Sequence, residues 1–427
     1  MPVSREMSRA LVNKIFKGKA KKNPVACLKS CPPEKFPLPP CLPRERVFSR
    51  QALKERLKIL GTQGITFKYV NGQKRVPGPE VFGGNIESYI GQSVLPLGVV
   101  GPLRVNGLNA HGDFYVPMAA TEGALVASHN RGAKIIGACG GARVACLTER
   151  VSRAPGFVFK DFIEAGRFIA WCVEHFAQLH KVVKTKTRHG KLEDVSTTLE
   201  GNHVFLRFEF TTGEASGQNM VTVATQAICE YLVSRSPVKP RHWFVESNMS
   251  GDKKATAMSY LYVRGKKVTA EVSIPENVVR RMLHTDARMV LEYWKMSFVG
   301  GVQSGSIGVQ GHYANGLAGL FIACGQDVAC VSEASVGITR VDVTDDGALY
   351  FAVSLPNLIV GTVGGGTGLP TQKECLRMLG CEGPGSARKF AEICAVTVLA
   401  GEISIMGALA AGEFAAAHAA YRRRKTG

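Results

Sequence analysis

Several familiar signatures are missing from this sequence, and each absence narrows the field. No CxxC pair or other regular spacing links its 12 cysteines, which argues against a zinc framework or a disulfide scaffold. Most cysteines sit in apolar runs such as Ile322-Ala323-Cys324 and read as buried, reduced thiols of a reducing compartment. No GxGxxG fingerprint framed by a βαβ pattern occurs, so a Rossmann dinucleotide fold is not expected. Met296 to Gln326 and Ala352 to Thr371 carry no Asp, Glu, Lys or Arg, yet Gly, Ser, Asn or Gln interrupt them. They read as buried, ligand-lining core, and no membrane span is expected. No signal peptide, fixed-period repeat or metal-ligand cluster is evident.

What is present begins with charge. The net charge is +19, but residues 1–75 alone hold eighteen Lys/Arg against four Asp/Glu. The excess sits in a basic arm, Lys17-Gly18-Lys19-Ala20-Lys21-Lys22, and in the tail Arg422 to Lys425. No aromatics interleave with the lysines, so a nucleic-acid partner is not expected. Ser8 to Lys19 places Leu11, Val12, Ile15 and Phe16 on one stripe of an amphipathic helix. That leaves weak contact with a membrane surface, or import into an organelle, as alternatives to a cytoplasmic location.

At 427 residues the chain exceeds what one core usually supports, which predicts two domains. Residues 1–48, rich in Pro, form an arm or linker. Residues 49–159 and 244–427 form a large domain, and 160–243 a smaller α+β domain inserted into it. Leu53, Leu57 and Leu60 space a first helix from Ser49, ended by Gly61. Ile86 to Val116 reads as short strands and turns, followed by a helix from Thr121. In the inserted block, Phe162 to Leu179 is a helix, Val204 to Phe210 a strand and Gln218 to Leu232 a helix. A basic turn, Lys184 to His189, lies between. An Ala/Gly-rich helix, Cys394 to Tyr421, closes the chain.

Local constellations suggest chemistry. Glu122 starts a helix of small residues, where half-burial would help it hold a proton for a carbonyl oxygen. Lys253 and Lys254 follow Gly251-Asp252; an ammonium aimed at a carbonyl stabilises the oxyanion that hydride addition creates, and Asp252 is placed to orient one of the two. Asp327 ends a long uncharged stretch, either as a loop cap or as a buried functional acid. Gly361 to Thr367, with Gly364, Gly365 and Gly366, offers bare amides to a phosphate or a flat ring. His418 stands alone on the last helix, structural or able to protonate a leaving thiolate. Thr187 and Arg188, in the basic turn, suit a phosphate monoester.

Taken in order, the strings IESYIGQSVLPLGVVGPL, ATEGALVAS, NMSGDKKA, FIACGQD, VGTVGGGTGL and LAGEISIMGALAAG resemble HMG-CoA reductases of class I over about residues 50–421. The resemblance implies an α+β fold: a large mixed helix and strand substrate domain with an inserted, small ferredoxin-like cofactor domain that is not of Rossmann type. It also implies NADPH as cofactor, HMG-CoA and CoA as ligands, and a homodimer or homotetramer. Glu122 becomes the acid, Lys253 the oxyanion-stabilising group, Asp327 the residue tuning both, and His418 the proton donor to the CoA thiolate. Thr187, Arg188, Glu214, Gly217, Gln218 and Asn219 (in TRHGKL and EASGQNM) fall to the cofactor, with the glycine loop. Asn248, Asp252, Lys254 and Asn315 fall to the substrate. Two departures touch the acyl pocket: Val158 stands where the family has an Arg, and Glu246 where it has a Ser. The Glu would repel a substrate carboxylate unless paired or turned away. A reductase of another acyl-CoA, or an inactive binding paralogue, are therefore the alternatives.

Overall fold

The computed structural model describes residues 24–43 and 47–416, together with 8, 9, 12 and 13. His418 and most of the amphipathic segment 8–19 lie outside the described residues.

After a helical turn at Pro24–Cys27, the elements run α1 (Arg50–Thr62), β1 (Leu97–Gly107), β2 (His111–Ala119), α2 (Leu125–Ala138), β3 (Ala142–Arg153) and β4 (Gly156–Val158). The middle of the chain holds α3 (Phe162–Glu174), α4 (Phe176–Lys186), β5 (Lys191–Glu200), β6 (His203–Thr211), α5 (Gln218–Arg235) and β7 (His242–Phe244). The last third holds β8 (Gly265–Ile274), α6 (Glu276–Leu283), α7 (Ala287–Gln303), α8 (Tyr313–Ala323), the single turn α9 (Val331–Ala334), β9 (Ile338–Val343), β10 (Leu349–Leu358), α10 (Pro370–Met378) and α11 (Ser386–Ala410).

The strands follow the order β7-β4-β6-β3-β8-β10-β9, with β1 on β3, β2 on β1 and β5 on β6. Among the described strands only β1 and β3 pair in parallel, over Val105–Gly107 against Ala142–Val144. A doubly wound nucleotide fold needs a parallel sheet, so the fold is α+β and not Rossmann. Strand β3 is the hinge of the design. Its first part pairs with β8 and its last residues, Val151 to Arg153, pair with β6.

Side-chain caps set several helix starts. Ser49 Oγ accepts from Ala52 N at 3.1 Å, and Asp161 from Ile163 N and Glu164 N at 3.0 and 2.9 Å. The expected helix Phe162 to Leu179 is instead two, broken at His175, and the predicted basic turn begins inside α4. The closing helix starts earlier and stops at Ala410, where Gly412 takes φ +70°. From Phe390 to Ala408 helix α11 is buried almost all round, as a mostly apolar helix in a protein core is. It is also long and apolar enough to cross a membrane, but 83% of that window is packed inside the protein. Gly132 of α2 lets that helix seat directly on the Ala400 carbonyl of α11.

Much of the proline-rich arm is fastened rather than free. The buried Arg104 guanidinium donates to the carbonyls of Cys31 (2.7 Å), Phe36 (2.6 Å) and Pro37 (3.2 Å) while paired with Asp113 at 2.8 Å. Tyr115 Oη donates to Pro40 O at 2.6 Å. Buried glutamates fasten other distant segments: Glu374 accepts from Lys68 N and Val70 N at 2.7 and 2.9 Å. Glu392 accepts from Asn109 N, Ala110 N and Cys146 N at 2.7, 2.7 and 3.0 Å.

Candidate active site

Lys253 Nζ and Asp327 Oδ2 lie 2.8 Å apart, each side chain somewhat under half exposed. Asp327 also caps the turn that follows it, accepting from Ala329 N at 3.1 Å. It is therefore both loop cap and partner of Lys253, and it is exposed rather than buried. Its hydrogen bond, more than any other influence, raises the Lys253 ammonium above the usual lysine value. An ammonium held charged and pointed is what a developing oxyanion requires.

Asp252 does not orient either lysine through its side chain. Its carboxylate takes Arg264 Nη2 at 2.7 Å and Arg153 Nη1 at 2.8 Å. Burial pushes this carboxyl up, but the two guanidinium groups outweigh burial and leave it below the usual range. Lys254 Nζ donates to the Asp252 main-chain carbonyl at 3.0 Å. Glu246 is paired rather than repulsive: Arg153 Nη1 lies at 3.0 Å and Ser250 Oγ at 2.9 Å. Asn248 turns the loop with φ +65°, and its carbonyl accepts from Gly251 N at 3.3 Å.

The segments expected to hold the cofactor converge beside this pair. Gly361 packs on the backbone of Ala215 and Ser216, where a side chain would collide. Thr362 N donates to Glu214 O at 2.8 Å, and Gly325 packs on Gly366. Gly364 and Gly365 have φ +84° and +54° and nothing close to them. Gly217, at φ +83°, opens α5 without a side-chain cap, which leaves the first amides, beside Gln218 and Asn219, free for an anion. Thr187 Oγ1 donates to Met220 Sδ at 2.9 Å and accepts from Gly190 N at 3.0 Å, setting the exposed Arg188 beside the first turn of α5. The Glu214 side chain turns the other way. Its two oxygens accept from Gly385 N and Ala387 N at 2.6 and 2.7 Å, capping α11.

Glu122 lies elsewhere. Ala124 takes φ +75°, so α2 starts only at Leu125 and Glu122 sits exposed on the preceding turn, not on a helix. With His312, Asn315, Arg131 and Phe414 it lines a cavity of about 550 Å³ that includes neither Lys253 nor Asp327. His312 stacks on the fully buried His129 with ring centroids 5.0 Å apart. Burial holds both imidazoles neutral, at about 4 and about 3.

A family model described as hydroxymethylglutaryl-coenzyme A reductase matches residues 52–423. The chain belongs to that family. The 3-hydroxy-3-methylglutaryl-coenzyme A reductase of Methanocaldococcus jannaschii is 43% identical over 376 residues, covering 87% of this chain and 92% of the relative. That of Pyrococcus abyssi is 42% identical, covering 86% and 90%. The fold is also similar to a class II reductase from Streptococcus pneumoniae solved with NADPH, at 20% identity and TM-score 0.66, over 85% of this chain and 97% of that one.

Within the family frame, three residues escaped the sequence reading: Arg153, Arg264 and Glu333. Val158 lies within β4, paired with His242. The guanidinium facing the Asp252 loop comes from Arg153, five residues earlier. Its only sequence signal was a charge at the end of a strand that already carries Arg143, Glu149 and Arg150.

Proposed function

We propose that this chain reduces HMG-CoA to mevalonate and free CoA, using two NADPH. The observation that carries the reading is the Lys253–Asp327 ion pair, set against the glycine loop and the uncapped head of α5 in a chain of this family. The bare amides of Gly364–Gly366, the N-terminus of α5 and the Thr187–Arg188 turn fit a nicotinamide dinucleotide phosphate: amides for the pyrophosphate, Arg188 for the phosphate monoester. NADPH supplies hydride when bound. Lys253 Nζ then meets the negative charge that grows on the thioester oxygen, and Asp327 keeps that ammonium charged and aimed. Asp252, clamped by Arg153 and Arg264, fixes the loop that presents Lys253 and Lys254. Glu122 is the proton source for the second carbonyl reduction, and His418 protonates the departing thiolate.

Residues 160–243 are, in this reading, the cofactor-binding insert, and the chain works as a homodimer or homotetramer. Two observations support assembly. Glu122 and Lys253 do not share a cavity in one chain, and Ile90, Val94, Met296, Val299 and Val302 expose large apolar side chains. Light scattering on the purified protein tests it; a monomer at assay concentration refutes it. The twelve free cysteines support a cytoplasmic location.

The activity test is NADPH oxidation with HMG-CoA, acetyl-CoA or succinyl-CoA, and with NADH in place of NADPH. Two NADPH consumed per HMG-CoA, with only a small residual rate in Lys253→Ala, is the expected result. Turnover of a different thioester alone would move the substrate assignment to the pocket altered by Glu246. No turnover with any thioester overturns the enzymatic reading.

A further inference from the structure

Lys253 has φ +55°, a left-handed backbone that a residue with a side chain adopts only when its surroundings impose it. The amide of Lys253 donates to Glu333 Oε1 at 3.1 Å. Glu333, on α9, is wholly buried, and Arg264 Nη1 reaches both its oxygens at 2.5 and 2.6 Å. The other arm of the same guanidinium takes Asp252 Oδ1 at 2.7 Å and approaches Gln218 Oε1 at 3.4 Å. Gln218 is the first residue of α5, and its amide nitrogen meets Cys330 Sγ at 2.9 Å. One buried ion pair thus touches the lysine loop, the helix heading the cofactor groove and the turn after Asp327.

A buried Arg–carboxylate pair is a poor way to gain stability, because desolvation consumes most of its attraction; apolar residues of the same volume do as well or better. What such a pair supplies is direction, since a planar guanidinium that gives Nη1 to Glu333 and Nη2 to Asp252 holds both carboxylates in only one orientation. The geometry points to Glu333 as a positioning residue for Lys253. It anchors the left-handed turn that sends Nζ to Asp327, and through Arg264 it keeps that turn in register with the head of α5. The inference rests on the proposed role of Lys253.

The test is steady-state NADPH oxidation with HMG-CoA by the full chain, comparing wild type with Glu333→Ala, Glu333→Gln, Lys253→Ala and the double variant Glu333→Ala/Lys253→Ala. Misplacing the ammonium by about an ångström lowers kcat about 100-fold in Glu333→Ala, with KM for HMG-CoA nearly unmoved. Glu333→Gln keeps an acceptor for the Lys253 amide and recovers most of the loss. The double variant is no slower than Lys253→Ala alone, because there is no ammonium left to misplace. Should Glu333→Ala not fold, Arg264→Lys keeps the charge without the planar fork and lowers kcat about tenfold at constant KM. Full activity in Lys253→Ala overturns the catalytic reading itself. An inactive Lys253→Ala beside wild-type kcat in Glu333→Ala, or in Arg264→Lys, overturns the positioning role alone. So does a loss in Glu333→Ala that adds to that of Lys253→Ala.

Discussion

Glu214 grips the start of α11 through both carboxylate oxygens, with Gly385 N at 2.6 Å and Ala387 N at 2.7 Å. The same residue's carbonyl holds Thr362 N at 2.8 Å, so one position joins the central helix to the cofactor loop. Glu214→Ala removes the cap and costs about 1–2 kcal/mol of stability. The alanine keeps the carbonyl that holds Thr362 N, so NADPH affinity stays unchanged. Chemical denaturation and cofactor titration check the two expectations separately; weakened cofactor binding would show that the side chain also holds the loop 361–366.

Asp327→Asn tests the electrostatics of the ion pair. The hydrogen bond that Lys253 Nζ donates to Asp327 is the first cause of the raised Lys253 pKa, so weakening it lowers that pKa. The ammonium is then deprotonated earlier as pH rises, and the alkaline limb of kcat/KM moves to lower pH. A pH–rate profile shows the shift; an unmoved limb would mean that Lys253 is not the group being titrated.

Three buried groups near the Glu122 cavity give stability a specific pH dependence. Burial raises the Glu402 carboxyl from 4.5 to about 7, while Thr339 Oγ1 and Gly311 N donate to it at 2.6 and 3.0 Å. Its folded pKa is the higher one, so its contribution is full below about pH 4.5 and is lost as pH rises through 7. His129 and His312, lowered from 6.5 to about 3 and about 4, act oppositely. Their contribution is present above about pH 6.5 and is lost as pH falls toward 4. The slopes oppose one another between about pH 4.5 and 6.5. Glu402→Gln removes one of them, and the variant's stability climbs more steeply with pH across that window than the wild type's. Parallel denaturation midpoints for the two proteins would refute this.

Two glycine substitutions separate packing from propensity. Gly132→Ala drives a methyl group into the Ala400 carbonyl, and relief requires α2 and α11 to part; the expected loss is about 3 kcal/mol. At Gly61, in α1, an added Cβ meets nothing within 4 Å. Gly61→Ala gains about 0.5–1 kcal/mol from helix propensity. Thermal melts of both check the pair.

What was legible in the sequence was short-range. The strings around Lys253, Asp327, Gly364–Gly366 and Thr187–Arg188 each declared a turn or a helix head, and the fold brought them together. The ends of α11 were not legible, because a helix buried on all faces has no polar stripe to mark where it begins or stops. Nor were the clamps: Glu333 meets the Lys253 amide across 80 residues and Glu374 meets Lys68 across 306. No local pattern reports a carboxylate whose partners are distant backbone amides. Glu214 shows the converse: it lies beside the glycine loop, but its side chain serves a helix.

The arm held by Arg104 separates the folded unit from the shared one. The family match begins at residue 52, yet the Arg104 guanidinium of β1, paired with Asp113, fills its remaining donors only when Cys31, Phe36 and Pro37 lie across it. A chain started at residue 49 would keep every residue of the family match yet take three carbonyl acceptors from Arg104 and leave it Asp113 alone. The stretch with no counterpart in the family match is a girdle, and trimming the protein to its recognisable part would unbuckle it.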